Sequence, residues 1–253
     1  MKGRPVQLLK RIACTYALLI CALAGHSQKG VTNFGLSFRP IIPLGLVNTQ
    51  GFSVKDQYSG TDFNLAARPS YSMGAVIRFG LTNRFSLETG IHYVARNYNF
   101  KLDDSDYPYS SASLRFSCYE IPLHGMVFVR LGEQTYMTAT AGLVFDLFPT
   151  GGLVTHDRDT IEYGMLENHW IHLSLGSNLG FEWRTEKNGW FYFGASYHNT
   201  LGDMAKIFIS YRKPYTNTFV RLISPDPSVN GNYLSLDLRY FFNPGTKVNK
   251  REN

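Results

Sequence analysis

At 253 residues, with 16 tyrosines, 18 phenylalanines, three tryptophans and 23 glycines, the chain is long enough for one large barrel or one large globular domain. Its formal charge of +6 is misleading: Lys2, Arg4, Lys10 and Arg11 lie in the first 27 residues, and the remaining 21 basic and 19 acidic residues leave +2. Lys247, Lys250 and Arg251, set against Glu252, account for that remainder, so the body is near neutral and nucleic-acid binding is excluded on charge.

The four basic residues precede an apolar run from Ile12 to Ala24 and a small, polar stretch through Ser27, the order of a secretory signal peptide. The run is shorter than the roughly 20 residues a spanning helix needs. Cleavage after Ser27 is favoured, with Ala24 the alternative. Cys14 and Cys21 leave with the leader, so Cys118 remains alone, with no disulfide partner and no CxxC or Cys/His metal spacing. The expected division is a signal peptide at 1–27, a barrel at 28–243 and a short basic tail at 244–253.

Eight segments alternate apolar and polar residues with period two: about 33–46, 70–82, 85–98, 113–131, 135–148, 168–184, 190–201 and 232–242. Each is long enough to cross a bilayer as a tilted strand, for which roughly 9–11 residues suffice. No later segment is apolar enough for a membrane helix, and a closed barrel is the other structure that satisfies its backbone in lipid. Connections near 83, 133 and 187 are tight, whereas 47–69, 99–112, 149–167 and 202–231 are long. That strict alternation predicts an all-β fold, an eight-stranded antiparallel up-and-down transmembrane barrel with short periplasmic turns and long extracellular loops.

Aromatic residues crowd the strand ends. Phe79, Phe85, Tyr136, Phe181, Trp183, Trp190, Phe191 and Tyr240 to Phe242 are read as a girdle at the turn side. Tyr71, Tyr98, Phe116, Tyr119, Phe148, Trp170 and Tyr197 are read as a second girdle at the loop side. Within the fourth loop, Ala205 to Tyr211 and Thr218 to Ile223 predict a projecting hairpin, with a ten-stranded barrel as the alternative.

The stretch Tyr119-Glu120-Ile121-Pro122-Leu123 and the closing Leu236-Asp237-Leu238-Arg239-Tyr240-Phe241-Phe242 resemble the porin-family outer-membrane β-barrel domains of Bacteroidota, including the PorT-like group. The resemblance implies insertion by the outer-membrane assembly machinery, with Leu236, Leu238, Tyr240 and Phe242 as its signal strand. It also implies a role near protein secretion. Eleven residues follow Phe242, a departure from the usual terminal signal.

Inward positions carry both charges: Arg39, Arg78, Glu88, His92, Arg96, Glu120, Arg130, Asp146, Glu182, Asp237 and Arg239. Eight strands enclose only enough room for side chains, so these residues are read as a polar plug. His172 and Ser174, two apart on one strand face with Glu182 beyond, have the residue types of a hydrolase triad and resemble lipid A deacylases. Asp103, Asp104 and Asp106 are a loop cluster able to hold a cation or bridge to lipopolysaccharide. No nucleotide or zinc signature appears, and no cofactor or metal is expected. The leading functional expectation is a non-enzymatic outer-membrane barrel of a Gram-negative bacterium, structural or accessory to assembly or secretion. Its expected partners are outer-membrane lipids, lipopolysaccharide, the assembly machinery and secretion-complex proteins. A narrow solute channel and a lipid A-modifying hydrolase using His172 and Ser174 are the alternatives.

Overall fold

The computed structural model describes residues 32–42, 53–55, 62–82, 84–104, 107–149, 152–156, 161–167, 169–185, 188–212, 219–222 and 228–242. The leader, its cleavage site, Asp106 and the basic tail lie outside them. The barrel strands are β1 (Thr32–Ile42), β2 (Asp62–Gly80), β3 (Phe85–Asp104), β4 (Tyr107–Arg130), β5 (Thr135–Leu147), β6 (Ile171–Arg184), β7 (Trp190–Thr200) and β8 (Tyr233–Phe241). Each pairs antiparallel with its chain neighbour, and β1 pairs with both β2 and β8. Phe38, for instance, stands opposite Met73 on one side and Leu238 on the other. The sheet therefore closes as an eight-stranded barrel, and the ten-strand alternative is excluded.

The tight connections fall where alternation stops. Thr82 accepts backbone N–H bonds from Arg84 and Phe85 at its hydroxyl, 3.2 and 3.0 Å, fixing the first turn. In the third, Thr185 N–H donates to Gly189 O at 3.1 Å, and Gly189 takes φ +82°, which a residue with a Cβ adopts only under strain.

At the opposite rim the strands run further than the alternation predicts. The second loop is mostly strand, because β3 and β4 continue to Asp104 and from Tyr107. At roughly 3.3 Å per residue, the 24 residues of β4 extend about 80 Å, twice what a bilayer crossing requires. A bulge at Arg68–Tyr71 marks the change in β2: Ser72, Val76 and Arg78 are buried on one side of it, Phe63 and Leu65 on the other. Five further strands, Gly152–His156, Ile161–Glu167, Asp203–Arg212, Phe219–Leu222 and Ser228–Asn230, form a separate sheet. In it the third and fourth loops join, and the expected hairpin appears as Ile209 to Arg212 paired with Phe219 to Leu222.

All eight strands expose large apolar side chains outward, among them Leu36, Met73, Ile91, Val127, Leu143, Leu179, Phe193 and Leu238. The opposite positions are buried and largely polar. An apolar belt encircling the molecule far exceeds the few hundred Å² that a soluble monomer exposes, and it is the surface of a membrane-spanning barrel.

The girdles need correction. Trp183, Phe181, Phe191, Phe85 and Phe242 are exposed at the short-turn end, but Phe241 is buried and Trp190 packs against it with Val76 and Tyr192. At the loop end Tyr119, Trp170 and Tyr197 are exposed, whereas Tyr98, Phe116 and Phe148 turn inward, the last two stacked at 5.1 Å. Tyr98 and Phe116 share the parity of Arg96 and Glu120 on their strands, and Phe148, just past the end of β5, that of Asp146, so alternation prevails over the preference of rings for the interface.

Leu179 is 58% exposed near the middle of β6. Leu179→Arg is expected to lower the unfolding free energy in lipid vesicles by about 2–4 kcal/mol, read from denaturant titration of tryptophan fluorescence. A water-facing position would change by less than about 0.5 kcal/mol.

Candidate functional site

The barrel interior is the candidate site. Of the inward charges, Arg39, Arg78, Glu88, His92, Arg96, Glu120, Asp146, Glu182, Asp237 and Arg239 are buried. Arg130 is not among them, which corrects its place in the plug. Last in its strand, it is exposed and its Nε donates to Gly132 O in the adjoining turn at 2.9 Å.

The buried charges fall into two groups. Toward the short turns they form an alternating chain. Arg184 Nε donates to Glu182 Oε1 at 2.6 Å, and Glu182 Oε2 accepts from Arg78. Arg78 Nη2 lies 3.2 Å from Glu88, whose other oxygen accepts from Arg239. Arg239 grips Asp237 through Nε at 2.9 Å and Nη2 at 2.5 Å, and Asp237 lies 3.7 Å from Arg39. Arg39 donates to His92 Nε2 at 2.7 Å. Seven charges on five strands thus alternate in sign across the lumen, which two-ended pairing makes tolerable in a low-dielectric interior.

Rings and amides complete this group. Arg78 lies over Phe241 at 4.1 Å, while Arg184 packs on Tyr136, Trp190 and Phe128 at 4.1, 4.4 and 4.9 Å. Asp237 Oδ2 also accepts from Ser196 and Asn178, at 2.7 and 2.8 Å, and Tyr192 donates to Asn178. The rings fit because small residues face them: a Cβ on Gly35 would come within 2.7 Å of Phe241, and one on Gly176 within 2.5 Å of His124.

The second group lies toward the loops. Asp146 Oδ2 accepts from Ser174 and lies 3.2 Å from His198 Nε2. Glu120 accepts from the Tyr233 hydroxyl, which is 2.8 Å from both carboxylate oxygens, and lies 3.7 Å from Arg96 Nη2. His198 stacks on Tyr233 at 4.7 Å, nearly parallel, and Arg96 covers the same ring at 5.1 Å. Above this group sit buried Tyr98, Phe116, Phe148 and Met204, an apolar cap. Two small cavities border the group, about 30 Å³ near Arg96 and Asn232 and about 20 Å³ between Glu120, His124 and His198. Each has room for about one water molecule.

The hydrolase residues are not assembled. Ser174 gives its hydroxyl to Asp146 rather than to an imidazole, and Glu182 lies eight residues further along the strand, roughly 27 Å away, bound to two arginines. His172 is buried, edge-on to Phe148 at 5.3 Å. Asp103 is exposed at the end of β3, opposite Asp62 in register. The signal-strand residues Leu236, Leu238 and Phe242 are exposed and Tyr240 half-buried. His124, Asn178, Tyr192, Ser196, His198 and Tyr233 belong to the interior but were absent from the expected set. They sit at inward positions of period-two strands, so the alternation marks them although formal charge does not.

No family model matches the sequence, and no curated protein matches it. Three of the solved structures to which the chain is similar are outer-membrane proteins. The outer membrane protein OprG from Pseudomonas aeruginosa is 10% identical over 84% of this chain and 95% of its own, with a TM-score of 0.48. An outer membrane channel from Pseudomonas putida F1 is 11% identical, covering 84% and 96%, with a TM-score of 0.26. The outer membrane protease OmpT from Escherichia coli is 10% identical, covering 84% and 94%, with a TM-score of 0.30. The barrel assignment rests on the strand pairing itself.

Arg78 bridges two carboxylates and is 1% exposed. Arg78→Met is expected to cost about 3–5 kcal/mol, because it strands buried charge. Adding Glu88→Gln should recover part of that loss, a coupling measurable as a double-mutant cycle on the denaturation midpoint.

Proposed function

We propose that the chain is a non-enzymatic integral protein of the outer membrane of a Gram-negative bacterium, with a barrel that anchors a loop-built surface rather than conducting solutes. The observation that carries this reading is the filled lumen: a continuous chain of paired charges below, an apolar cap above, and cavities of single-water size between them. The encircling apolar belt supports membrane insertion, and a barrel is the bilayer-spanning form used in bacterial outer membranes.

In this reading the short turns face the periplasm after export through a cleaved leader, and the second sheet stands outside the cell. Among the described residues Gly152–His156 and Phe219–Leu222 are the edge strands of that sheet, and a strand edge is the backbone feature by which sheets take up a partner strand. Partners of this class are envelope proteins of assembly or secretion, alongside outer-membrane lipids and lipopolysaccharide. The Glu120-Ile121-Pro122-Leu123 and Leu236 to Phe242 motifs support grouping the chain with the porin-family barrels of Bacteroidota, the PorT-like group included.

Planar-bilayer recording of the purified protein is expected to give no stable unit conductance. Reproducible single-channel steps, absent from a control that lacks the protein, would overturn the closed-lumen reading.

A further inference from the structure

The loop-side group of the lumen sets one arginine, Arg96, among two carboxylates, Glu120 and Asp146. Glu120 and Asp146 stand directly opposite each other across β4 and β5, and Arg96 lies beside Glu120. Its Nη2 is 3.7 Å from Glu120, and its Nη1 donates instead to Gly231 O at 2.8 Å. His198 faces the two acids from β7, with Nε2 3.2 Å from Asp146 Oδ2 and Nδ1 3.8 Å from Glu120 Oε1. Asp146 is wholly buried, yet among the described residues its Oδ1 has no partner. His172, opposite Asp146 in register on β6 and also buried, has Nε2 without one. Two opposed carboxylates, an imidazole facing both and a carboxylate oxygen without a partner call for a cation among them.

We propose that Glu120, Asp146 and His198 bind one divalent transition-metal ion of the zinc type. One ligand atom from each lies within 4.8 Å of the other two. Metal–ligand bonds of about 2.0–2.1 Å in a tetrahedral site require separations of roughly 3.4 Å, which the side chains reach by closing on the ion. The cavity of about 20 Å³ that Glu120 and His198 line together with Arg39 and Arg239 has room for one water as the fourth ligand, the two arginines being held by Asp237, Glu88 and His92. One imidazole and two carboxylates suit zinc, whereas calcium takes six to eight oxygens. Tyr233, donating to Glu120, supplies the outer hydrogen bond that orients a metal-bound carboxylate. Such an ion ties β4, β5 and β7 together beneath the apolar cap. The ligands come from three strands with no local spacing, so no motif in the sequence announces them.

The test is titration of the chelator-treated, folded protein in detergent with Co2+ and then Zn2+. The expected result is one Co2+ per chain, with the strong visible absorption of a tetrahedral site, displaced by Zn2+. His198→Gln and Asp146→Asn should each weaken binding by more than the roughly 10–100-fold that losing an outer partner costs, and Tyr233→Phe by about that outer-partner amount. Heat-modifiable migration reports that each variant is folded. A wild-type protein without the Co2+ absorption overturns the proposal. Binding unchanged in folded His198→Gln and Asp146→Asn overturns it equally, and the wild-type spectrum decides alone if the variants fail to fold.

Discussion

The pairing of charges inside a lumen too narrow for bulk water is the constraint on which the rest of this molecule depends. An outward apolar face is required by lipid, and with period-two strands the polar residues then have to point inward. Once there, each charge costs several kcal/mol unless it meets a partner. The chain running from Arg184 through Glu182, Arg78, Glu88, Arg239 and Asp237 to Arg39 meets that demand with partners on five strands. Arg78 and Glu182 are 104 residues apart in sequence. Their meeting depends on closure of the sheet and on the stagger of its strands, so closure and charge pairing stabilise one another.

Shape enforces the same closure. Rings and guanidinium groups fill the lumen because glycines on neighbouring strands leave room for them, as Gly35 does under Phe241 and Gly176 beside His124. The stacked arginine and aromatic groups at the short-turn end and the apolar residues at the loop end then seal the two mouths in different ways. Arginine packing leaves polar edges toward the turns. Phe116, Phe148 and Met204 leave none toward the loops, and above them the second sheet begins.

The eight strands and their tight turns were legible in the sequence because lipid on one side and a filled lumen on the other impose strict alternation. The placement of individual residues was less so. Arg130 has inward parity but lies one residue before a turn, where the wall ends and the side chain reaches the rim. Tyr98, Phe116 and Phe148 also have inward parity, and there the alternation is the better guide than the affinity of rings for a membrane interface. The bulge near Pro69 reverses the facing of β2, so Phe63 and Leu65 become buried at positions the lower half of the strand would assign outward. Which inward groups meet was not legible, since Asp146, Ser174 and His198 are joined by register and curvature. His198 and Tyr233 were missed because they are not formal charges, although they organise the loop-side group.

The most direct test of a sealed, paired interior uses a probe the protein already carries. Cys118 is fully buried, on the inward face of β4 two residues from Glu120, and a chain without residues 1–27 has no other cysteine. The rate at which a small, charged, water-soluble thiol reagent modifies Cys118 in vesicle-inserted protein should be compared with the rate after unfolding in denaturant. A sealed interior leaves Cys118 unmodified in the folded barrel and completely modified once it is unfolded. Rapid labelling of the folded, inserted protein would show that water and solutes reach the lumen, and would contradict it.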